Sequence, residues 1–390
     1  MHIRKNFLID SNSVFKVFKN FHFRFGVFLC LLTVLYLFSI HYISSHKNAN
    51  FSTPQWDGAH YVSILEHGYS MNPCGAALES RGIKLCGNPW FPGWPYFLRF
   101  FTNGLAWIGL TSVQWITGMS MVIFLLTIIT LSMQSQILLK PFMSQTKQIG
   151  IWASLWMFVQ PGSFYYLTAF PYIFTVFLLF CSLLLIQHPK THTKPVFQRL
   201  SDLFAFWASF SYPTAICGVL LDIPSRAKIL SGSGFKKLLW RGFIYSLGIL
   251  MVSTIFKVLF DNFWLYFEHH AQYPRTEGSP FNVIYGLITG GHENERLTFL
   301  WYGFGLLVIT LKLPNIFKMR SFWFINAIYF FTFFNDSWIS IYRYYLLMFP
   351  MGALLGATPV SSWLKIVYFI LGLSLQLAKF LPSYVSGNLV

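Results

Sequence analysis

The stretch VQWITGMSMVIFLLTIITLSMQSQIL (113–138) contains no charged side chain from one end to the other. A helix of about 20 apolar residues crosses the hydrocarbon core of a bilayer, so this stretch predicts a transmembrane helix. Further apolar runs lie on both sides of it, at about 25–43, 149–165, 170–187, 203–222, 241–260, 297–312, 322–335, 338–357 and 363–380. The pattern predicts an all-α polytopic membrane protein, a single domain over residues 1–390, with about ten or eleven transmembrane helices.

The composition of the 390-residue chain excludes a water-soluble fold. Hydrophobic residues make up 55% of the sequence and charged residues only 10%, whereas soluble domains carry about 25% charged residues. The formal net charge is +16. The basic residues stand in short loops between apolar runs, which is the pattern of membrane topology rather than of a phosphate-binding face. We therefore expect the lipid bilayer, and no nucleic acid, as a partner.

The distribution of Lys and Arg predicts which loops face the cytosol. Basic residues concentrate in the N-terminal segment and in four later segments, 140–148, 187–202, 223–242 and 312–320. The run 203–222 lies between two of these basic segments. It should therefore form a hairpin that turns near SYPT (211–214), where Pro213 breaks the helix.

Most of the acidic residues fall in two large loops on the opposite face. The first outer loop covers residues 44–112, and its run 96–112 predicts a re-entrant or interfacial helix. The second outer loop covers residues 261–296. Acidic residues contribute little to topology, so their concentration in these loops points to chemistry on the non-cytosolic face.

The first outer loop contains QWDGAHYVSILEHGYS (55–70). Asp57 is a good N-cap residue, so a helix is expected to begin there and to lie in the membrane interface, with His60, Ser63 and His67 along one polar stripe. The carboxylate of Asp57 either only caps this helix or takes part in chemistry at the mouth of the membrane domain. His60 and His67 would stand about 10 Å apart, too far to share a metal ion, and no metal site is expected.

Two arginines stand within or beside apolar runs, where a charge usually faces a cavity, a lipid phosphate or a partner. Arg99, in NPWFPGWPYFLRFF (88–101), either faces a cavity or a lipid phosphate or only snorkels to the interface. Arg343, in NDSWISIYRYYLLMFP (335–350), is suited to binding a phosphate. The alternative is an ion pair between Arg343 and Asp336 that holds two helices together.

The cysteines and the absence of known catalytic motifs limit the reactions that the sequence supports. Cys74 and Cys86 share the first outer loop, and they either form a disulfide in an oxidising compartment or remain free thiols. The sequence contains no zinc-type cysteine pairs, no metal-binding D-x-D motif, no phosphate loop and no hydrolase nucleophile motif. Nucleotide and hydrolase chemistry of the soluble type therefore has no support.

Three blocks of the first outer loop resemble a known family in order and spacing: WD (56–57), EHGY (66–69) and WFPGWP (90–95). The sequence is similar here to the second mannosyltransferase of GPI-anchor assembly and its bacterial relatives. This GPI mannosyltransferase II family belongs to the GT-C membrane glycosyltransferases. The specific part of the resemblance covers residues 56–97.

Later blocks match the family more loosely or depart from it. QPGS (160–163) and RYYLLMFP (343–350) resemble two further family motifs. AFPY (169–172) stands where the family has an acidic, serine-rich stretch, and YPT (212–214) stands where it has S-N-G. These departures concern the acceptor more than the type of reaction.

The resemblance implies a GT-C fold and a defined reaction. A sugar, mannose in the family, passes from a polyprenyl phosphate to a glycolipid or glycan acceptor, with inversion and without a cofactor or metal. Asp57 would be the general base that takes the proton of the acceptor hydroxyl, and Trp56 would wall the sugar site. Arg343, together with Arg99, would stabilise the departing lipid phosphate. The residues that would contact the acceptor or support the site are His60, Glu66 and His67.

Two other classes of protein remain compatible with the sequence. A polytopic transporter or flippase of lipid-linked sugars would also need many spans and outer arginines, but no carboxylate beside an acceptor. A non-catalytic partner in a membrane assembly would tolerate the divergent blocks. For the enzyme, we expect a multi-pass protein of a bacterial inner membrane, or of the endoplasmic reticulum membrane if eukaryotic. Its active site would open on the non-cytosolic face.

Overall fold

The computed structural model describes residues 25, 28–29, 31–43, 45, 57–73, 85–87, 89–105, 109–139, 147–187, 191, 194–222, 233–271, 285–286, 289, 293–334 and 341–385. Within these residues the chain is helical apart from one short ribbon of two strands. The α-helices are α1 Leu31–Ile43, α2 Asp57–His67, α3 Gly93–Leu105, α4 Ser112–Gln134, α5 Lys147–Val159, α6 Tyr172–Ile186, α7 Pro195–Ser211, α8 Val219–Asp222, α9 Ser233–Phe260, α10 Leu265–Ala271, α11 Glu293–Lys312, α12 Arg320–Phe334, α13 Ile341–Tyr344, α14 Pro350–Ala357, α15 Ser362–Leu375 and α16 Leu381–Val385.

Shorter helical segments join these elements. The 3₁₀-helical segments are Ser135–Leu139, Ser163–Leu167, Pro213–Gly218, Ile316–Lys318 and Tyr345–Leu347, and a π-helical turn at Gln376–Phe380 joins α15 to α16. Local sequence explains several helix starts. Thr111 and Gln114 form a reciprocal capping box before α4, and Pro195 occupies the first turn of α7, where its missing N–H costs nothing.

Within the part of the chain that the structure describes, three helical stretches are long and apolar enough to cross a bilayer: Ser112–Leu139, Gly234–Phe260 and Ser362–Val385. Shorter apolar helices accompany them at Leu31–Ile43, Gln148–Val159, Tyr172–Ile186 and Pro213–Asp222. The uncharged run 113–138 lies within the first of the long stretches. These helices agree with an all-α membrane protein, and the number of ten or eleven spans stays a prediction.

The first outer loop contains the strand ribbon, which the all-α prediction did not include. Strand β1 (Met71–Pro73) pairs antiparallel with β2 (Leu85–Gly87), and Asn72 stands opposite Cys86. The pairing satisfies backbone N–H and C=O groups in a stretch that lies between two helices and has no helical partner. Cys74 lies outside the described residues, so the disulfide with Cys86 stays a prediction.

The segment from α7 to α8 leaves one end of the helical bundle and returns to it. Asp202 in α7 accepts a hydrogen bond from Nη1 of Arg241 at 2.6 Å, and Asp222 at the end of α8 accepts one from Nε at 2.8 Å. Because one guanidinium binds both carboxylates, the two ends of the run 203–222 lie side by side. This confirms the predicted hairpin, with α7 ending at Ser211 just before Pro213.

Arg241 is the centre of a buried charged network that the sequence did not lead us to expect. Its side chain is only 2% exposed, as is that of Asp222. Nη2 of Arg241 also donates to Oγ of Ser182 in α6 at 2.6 Å, and Nε1 of Trp240 donates to Asp202 at 3.0 Å. The network therefore ties α6, α7, α8 and α9 together at one end of the hairpin.

Helices α7 and α9 pack against each other through Gly248. A Cβ atom at this position would lie 2.1 Å from Oγ of Ser209 and 2.5 Å from the carbonyl oxygen of Phe206. Both distances are far inside van der Waals contact. The absence of a side chain at Gly248 therefore sets how closely the two helices approach.

We expect Gly248→Ala to destabilise the protein by about 1–3 kcal/mol, because the added methyl group pushes α9 away from α7. Gly242 is a matched control in the same helix, since a Cβ there meets no atom within 4 Å. Gly242→Ala should be neutral or stabilising by up to about 1 kcal/mol through helix propensity. Unfolding of both variants in a detergent titration measures the difference, and equal midpoints would contradict the packing role of Gly248.

Candidate active site

An ion pair joins the start of α2 to α13. Nη1 of Arg343 donates to Oδ2 of Asp57 at 2.5 Å, although 286 positions separate the two residues in the chain. The side chain of Arg343 is 16% exposed and that of Asp57 is 24% exposed. Because both groups are largely removed from water, their attraction is less screened than that of a surface pair.

The first turn of α2 reaches Arg343 because it packs closely against the block AFPY (169–172). A Cβ atom on Gly58 would lie 3.2 Å from the ring of Phe170. Tyr61, one turn further along, is buried, and its ring centroid lies 6.0 Å from that of Phe170. The predicted helix is present as Asp57–His67, and the carboxylate of Asp57, in its first turn, contacts a partner outside the helix.

Arg343 is held by the residue before it. Tyr342 is fully buried, and its ring stacks on Tyr165 with centroids 5.8 Å apart. Tyr342 also packs over Gly162, which has a φ of 80°. A Cβ atom on Gly162 would lie 3.4 Å from the ring of Tyr342, at ordinary contact distance. The guanidinium carbon of Arg343 lies 6.0 Å from the ring centroid of Phe170, within reach of a cation–π interaction.

Five aromatic residues surround the ion pair, and we call them the aromatic collar: Tyr61, Phe170, Tyr172, Tyr212 and Tyr266. Neighbouring rings touch, with centroids 5.6 Å apart for Phe170 and Tyr172 and 5.0 Å apart for Tyr172 and Tyr212. Tyr61 and Tyr266 interact electrostatically with both members of the ion pair. Burial raises the pKa of Tyr61 and of Tyr266 well above its ordinary value, so both hydroxyls stay neutral.

Sequence reasoning did not assign any collar residue to the site. Phe170 and Tyr172 belong to AFPY (169–172), and Tyr212 belongs to SYPT (211–214), blocks that the sequence singled out only as departures or as a helix break. A usable signal was present, since each block sets an aromatic residue beside a proline at the end of an apolar run. Such a break is one place where a chain can turn side chains toward a shared site.

The block QPGS (160–163) is buried, and its polar side chains form hydrogen bonds with distant segments. Gln160 donates to Tyr166 at 2.6 Å and accepts from Tyr302 at 3.0 Å. Ser163 donates to Oε1 of Gln376 at 2.6 Å and lies 3.0 Å from the hydroxyl of Tyr36. These bonds connect α1, the turn after α5 and the π-helical turn. Tyr342, the residue before Arg343, packs against the last two of these segments through Tyr165 and Phe380.

The other predicted site residues divide into two groups. His60 lies one turn after Asp57, and its ring centroid is 5.7 Å from that of Trp90. Glu66 and His67 are exposed at the other end of α2, with 3.8 Å between Oε2 of Glu66 and Nδ1 of His67. Arg99 is exposed and lies beside Gly68 at that same end.

The length of α2 separates these groups. Its 11 residues span roughly 16 Å at 1.5 Å per residue. The structure therefore brings Asp57, His60 and Arg343 together and leaves Glu66, His67 and Arg99 apart from them. Trp56 and Asp336 lie outside the described residues, so their predicted contacts are not tested. No group of three or more metal-ligating side chains occurs among the residues that the structure describes.

We expect protonation of His60 to weaken the fold. Burial lowers the pKa of His60, and the opposing attraction of Asp57 is the smaller effect. The unfolded chain therefore binds this proton at a higher pH than the folded chain, so stability falls as the pH drops through about 6.5. His60→Gln should reduce the loss of thermal stability between about pH 7.5 and pH 5.5.

His67 provides the control for this measurement because its side chain is 75% exposed in the same helix. His67→Gln should leave the pH dependence of the unfolding midpoint unchanged. An identical effect of both substitutions would show that the buried environment of His60 is not responsible.

No protein-family model matches the chain, and no curated protein matches it. The resemblance of residues 56–97 to the GPI mannosyltransferase II family therefore stays a prediction. Among solved structures, the chain is similar to the oligosaccharyltransferase of Archaeoglobus fulgidus, crystallised with a tethered acceptor peptide that contains the NVT sequon. The TM-score is 0.49 and the sequence identity is 11%.

This similarity covers 91% of the present chain and 55% of the oligosaccharyltransferase. The chain thus spans about half the length of that neighbour. A TM-score of 0.49 at 11% identity establishes neither a common fold nor a common function.

Proposed function

We propose that the chain is an integral-membrane glycosyltransferase of the GT-C type, which transfers a sugar from a polyprenyl phosphate to a hydroxyl of a glycolipid or glycan. The observation that carries this proposal is the contact between Asp57 and Arg343 inside the aromatic collar. It unites, at the edge of a membrane domain, a carboxylate that can accept a proton with a guanidinium that can bind a phosphate. Mannose is the sugar that the sequence resemblance suggests.

In the proposed reaction, the acceptor oxygen forms a bond to the anomeric carbon of the sugar while its proton passes to the carboxylate of Asp57. The bond between the anomeric carbon and the phosphate oxygen breaks, and its electron pair leaves with the phosphate. Inversion follows because attack and departure occur on opposite sides of the anomeric carbon. The proton then leaves Asp57 for water, which restores the base.

The charges of the site suit these two roles. A positioned general base contributes about 10²- to 10⁴-fold to a rate. Arg343 offers parallel N–H donors to the oxygens of a phosphate, and this attraction grows as negative charge develops on the leaving group. No step requires a metal or cofactor, since protein side chains supply both the base and the counter-charge.

The collar suits the sugar and the acceptor. Aromatic rings pack against the apolar faces of sugars, and neutral hydroxyls provide hydrogen-bond groups that fix orientation. We place the site on the non-cytosolic face because α2 belongs to the first outer loop defined by the distribution of basic residues. His60 lies close enough to Asp57 to belong to the same site.

Labelled donors provide the direct test. Purified protein in lipid nanodiscs is given radiolabelled polyprenyl-phosphate mannose, glucose or galactose together with a membrane lipid extract, and the labelled products are separated and identified. A glycosylated product from one donor supports the proposal. Movement of intact donor across vesicles without any product would instead favour a transporter, and no turnover with any donor would favour a non-catalytic role.

A further inference from the structure

We propose that the ion pair between Asp57 and Arg343 is a latch that the phosphate of the lipid donor opens, so that donor binding must precede activation of the acceptor. This inference rests on the proposed function and concerns the order of events at the same site. It follows from one contact, because the candidate base and the candidate phosphate ligand bind each other.

In the ion pair, the candidate base Asp57 is already bound through one of its carboxylate oxygens. Oδ2 of Asp57 accepts from Nη1 of Arg343 at 2.5 Å, within the range of a strong charge-assisted hydrogen bond. A carboxylate oxygen in this contact is directed at the guanidinium and not at an incoming hydroxyl. In this arrangement Oδ2 is not available to an incoming hydroxyl, and an acceptor alone meets a carboxylate that is already bound to a guanidinium.

The same contact engages an N–H group on Nη1 of Arg343. A phosphate oxygen that binds the Nη1 N–H now donated to Oδ2 must take the place of Oδ2, so the donor and Asp57 compete for this N–H. A phosphate presents several oxygens to the guanidinium fork and gains a bidentate contact. The single N–O contact to Asp57 does not provide that geometry, which favours exchange once the donor has entered.

The surroundings indicate which partner moves. Arg343 follows Tyr342, which is fully buried between Gly162, Tyr165 and Phe380. Asp57 is the first residue of α2 and is the more exposed member of the pair. Opening the latch therefore requires a change of the Asp57 side chain or of the first turn of α2, while Arg343 stays in place.

Binding of a sugar-free polyprenyl monophosphate, with the matching polyprenyl alcohol as control, tests the latch without catalysis. Affinities are measured in nanodiscs for the wild type, Asp57→Asn, Arg343→Gln and the double variant, each checked for an unchanged thermal unfolding profile. If the latch is closed about nine-tenths of the time, Asp57→Asn tightens phosphate binding about tenfold. In the Arg343→Gln background the same substitution should change the affinity by less than about twofold.

The double-mutant design separates competition from simple charge repulsion. Equal tightening by Asp57→Asn with and without Arg343 would mean that the carboxylate only repels the phosphate, and unchanged affinity in both backgrounds would show no competition. Either result overturns the latch and leaves the donor class intact. Phosphate binding no stronger than alcohol binding in every variant overturns the donor class and the latch together. If Asp57→Asn does not fold, Asp57→Ser replaces it in the same cycle.

Discussion

Asp57→Asn is expected to lower the rate of sugar transfer by about 10²- to 10⁴-fold, because the amide cannot take the proton of the acceptor hydroxyl. The substitution keeps the size and most of the hydrogen-bonding capacity of the side chain, so α2 should remain seated against Phe170. The loss should fall mainly on kcat, since the carboxylate acts in the chemical step. Initial rates with the active radiolabelled donor measure the effect.

The matched control for this prediction is Glu66→Gln. Glu66 lies in the same helix, carries the same type of side chain and is 39% exposed at the end remote from Arg343. Its substitution should change the transfer rate by less than about twofold, as expected of a residue outside the reacting groups. Full activity of Asp57→Asn would remove Asp57 as the base, and equal losses in both variants would point to α2 as a whole.

Arg241→Met should produce the largest loss of stability, about 3–5 kcal/mol, because it leaves the buried carboxylate of Asp222 without its hydrogen-bonded counter-charge. Asp222 is 2% exposed; its Oδ2 accepts a hydrogen bond of 2.8 Å from Nε of Arg241 and lies 2.7 Å from Nη2. The same substitution removes the contact to Asp202 that closes the hairpin. Denaturant unfolding in detergent micelles, followed by tryptophan fluorescence, measures the change.

A control and a partial rescue define this result. Lys237 is exposed in the same helix, and Lys237→Met should change stability by less than about 0.5 kcal/mol. Adding Asp222→Asn to Arg241→Met should restore part of the loss, since a neutral amide costs less to bury than an unpaired carboxylate. A mild effect of Arg241→Met alone would mean that the network contributes little to the fold.

Local sequence patterns predicted where the helices lie but not which helices pack against each other. The uncharged run 113–138 became a long helix, and the helix predicted from about Asp57 is present as Asp57–His67. The hairpin turn near Pro213 followed from basic segments on both sides of an apolar run. These features depend on short-range properties, namely hydrophobic length, capping and backbone stiffness, which the sequence states directly.

Contacts between distant segments were not predictable in the same way. Arg343 was expected to bind phosphate or to pair with Asp336, and the structure pairs it with Asp57. Arg241 was read only as one more cytosolic charge, yet it is the centre of a buried network with Asp202 and Asp222. The sequence places opposite charges at the ends of apolar runs predicted to lie on the same side of the membrane. Several different ion pairs were compatible with that placement.

The sequence by itself determined that this is a helical membrane protein, where its main apolar helices lie, and which carboxylate stands in the first turn of α2. Hydrophobicity and turn chemistry act locally, so they can be read from the order of residues. Only the tertiary structure decided that Asp57 meets Arg343 and that Phe170, Tyr172 and Tyr212 surround them. Those meetings depend on how Gly58, Gly162 and the 195–222 hairpin let separate helices approach, and close packing of this kind is a property of the assembled helices.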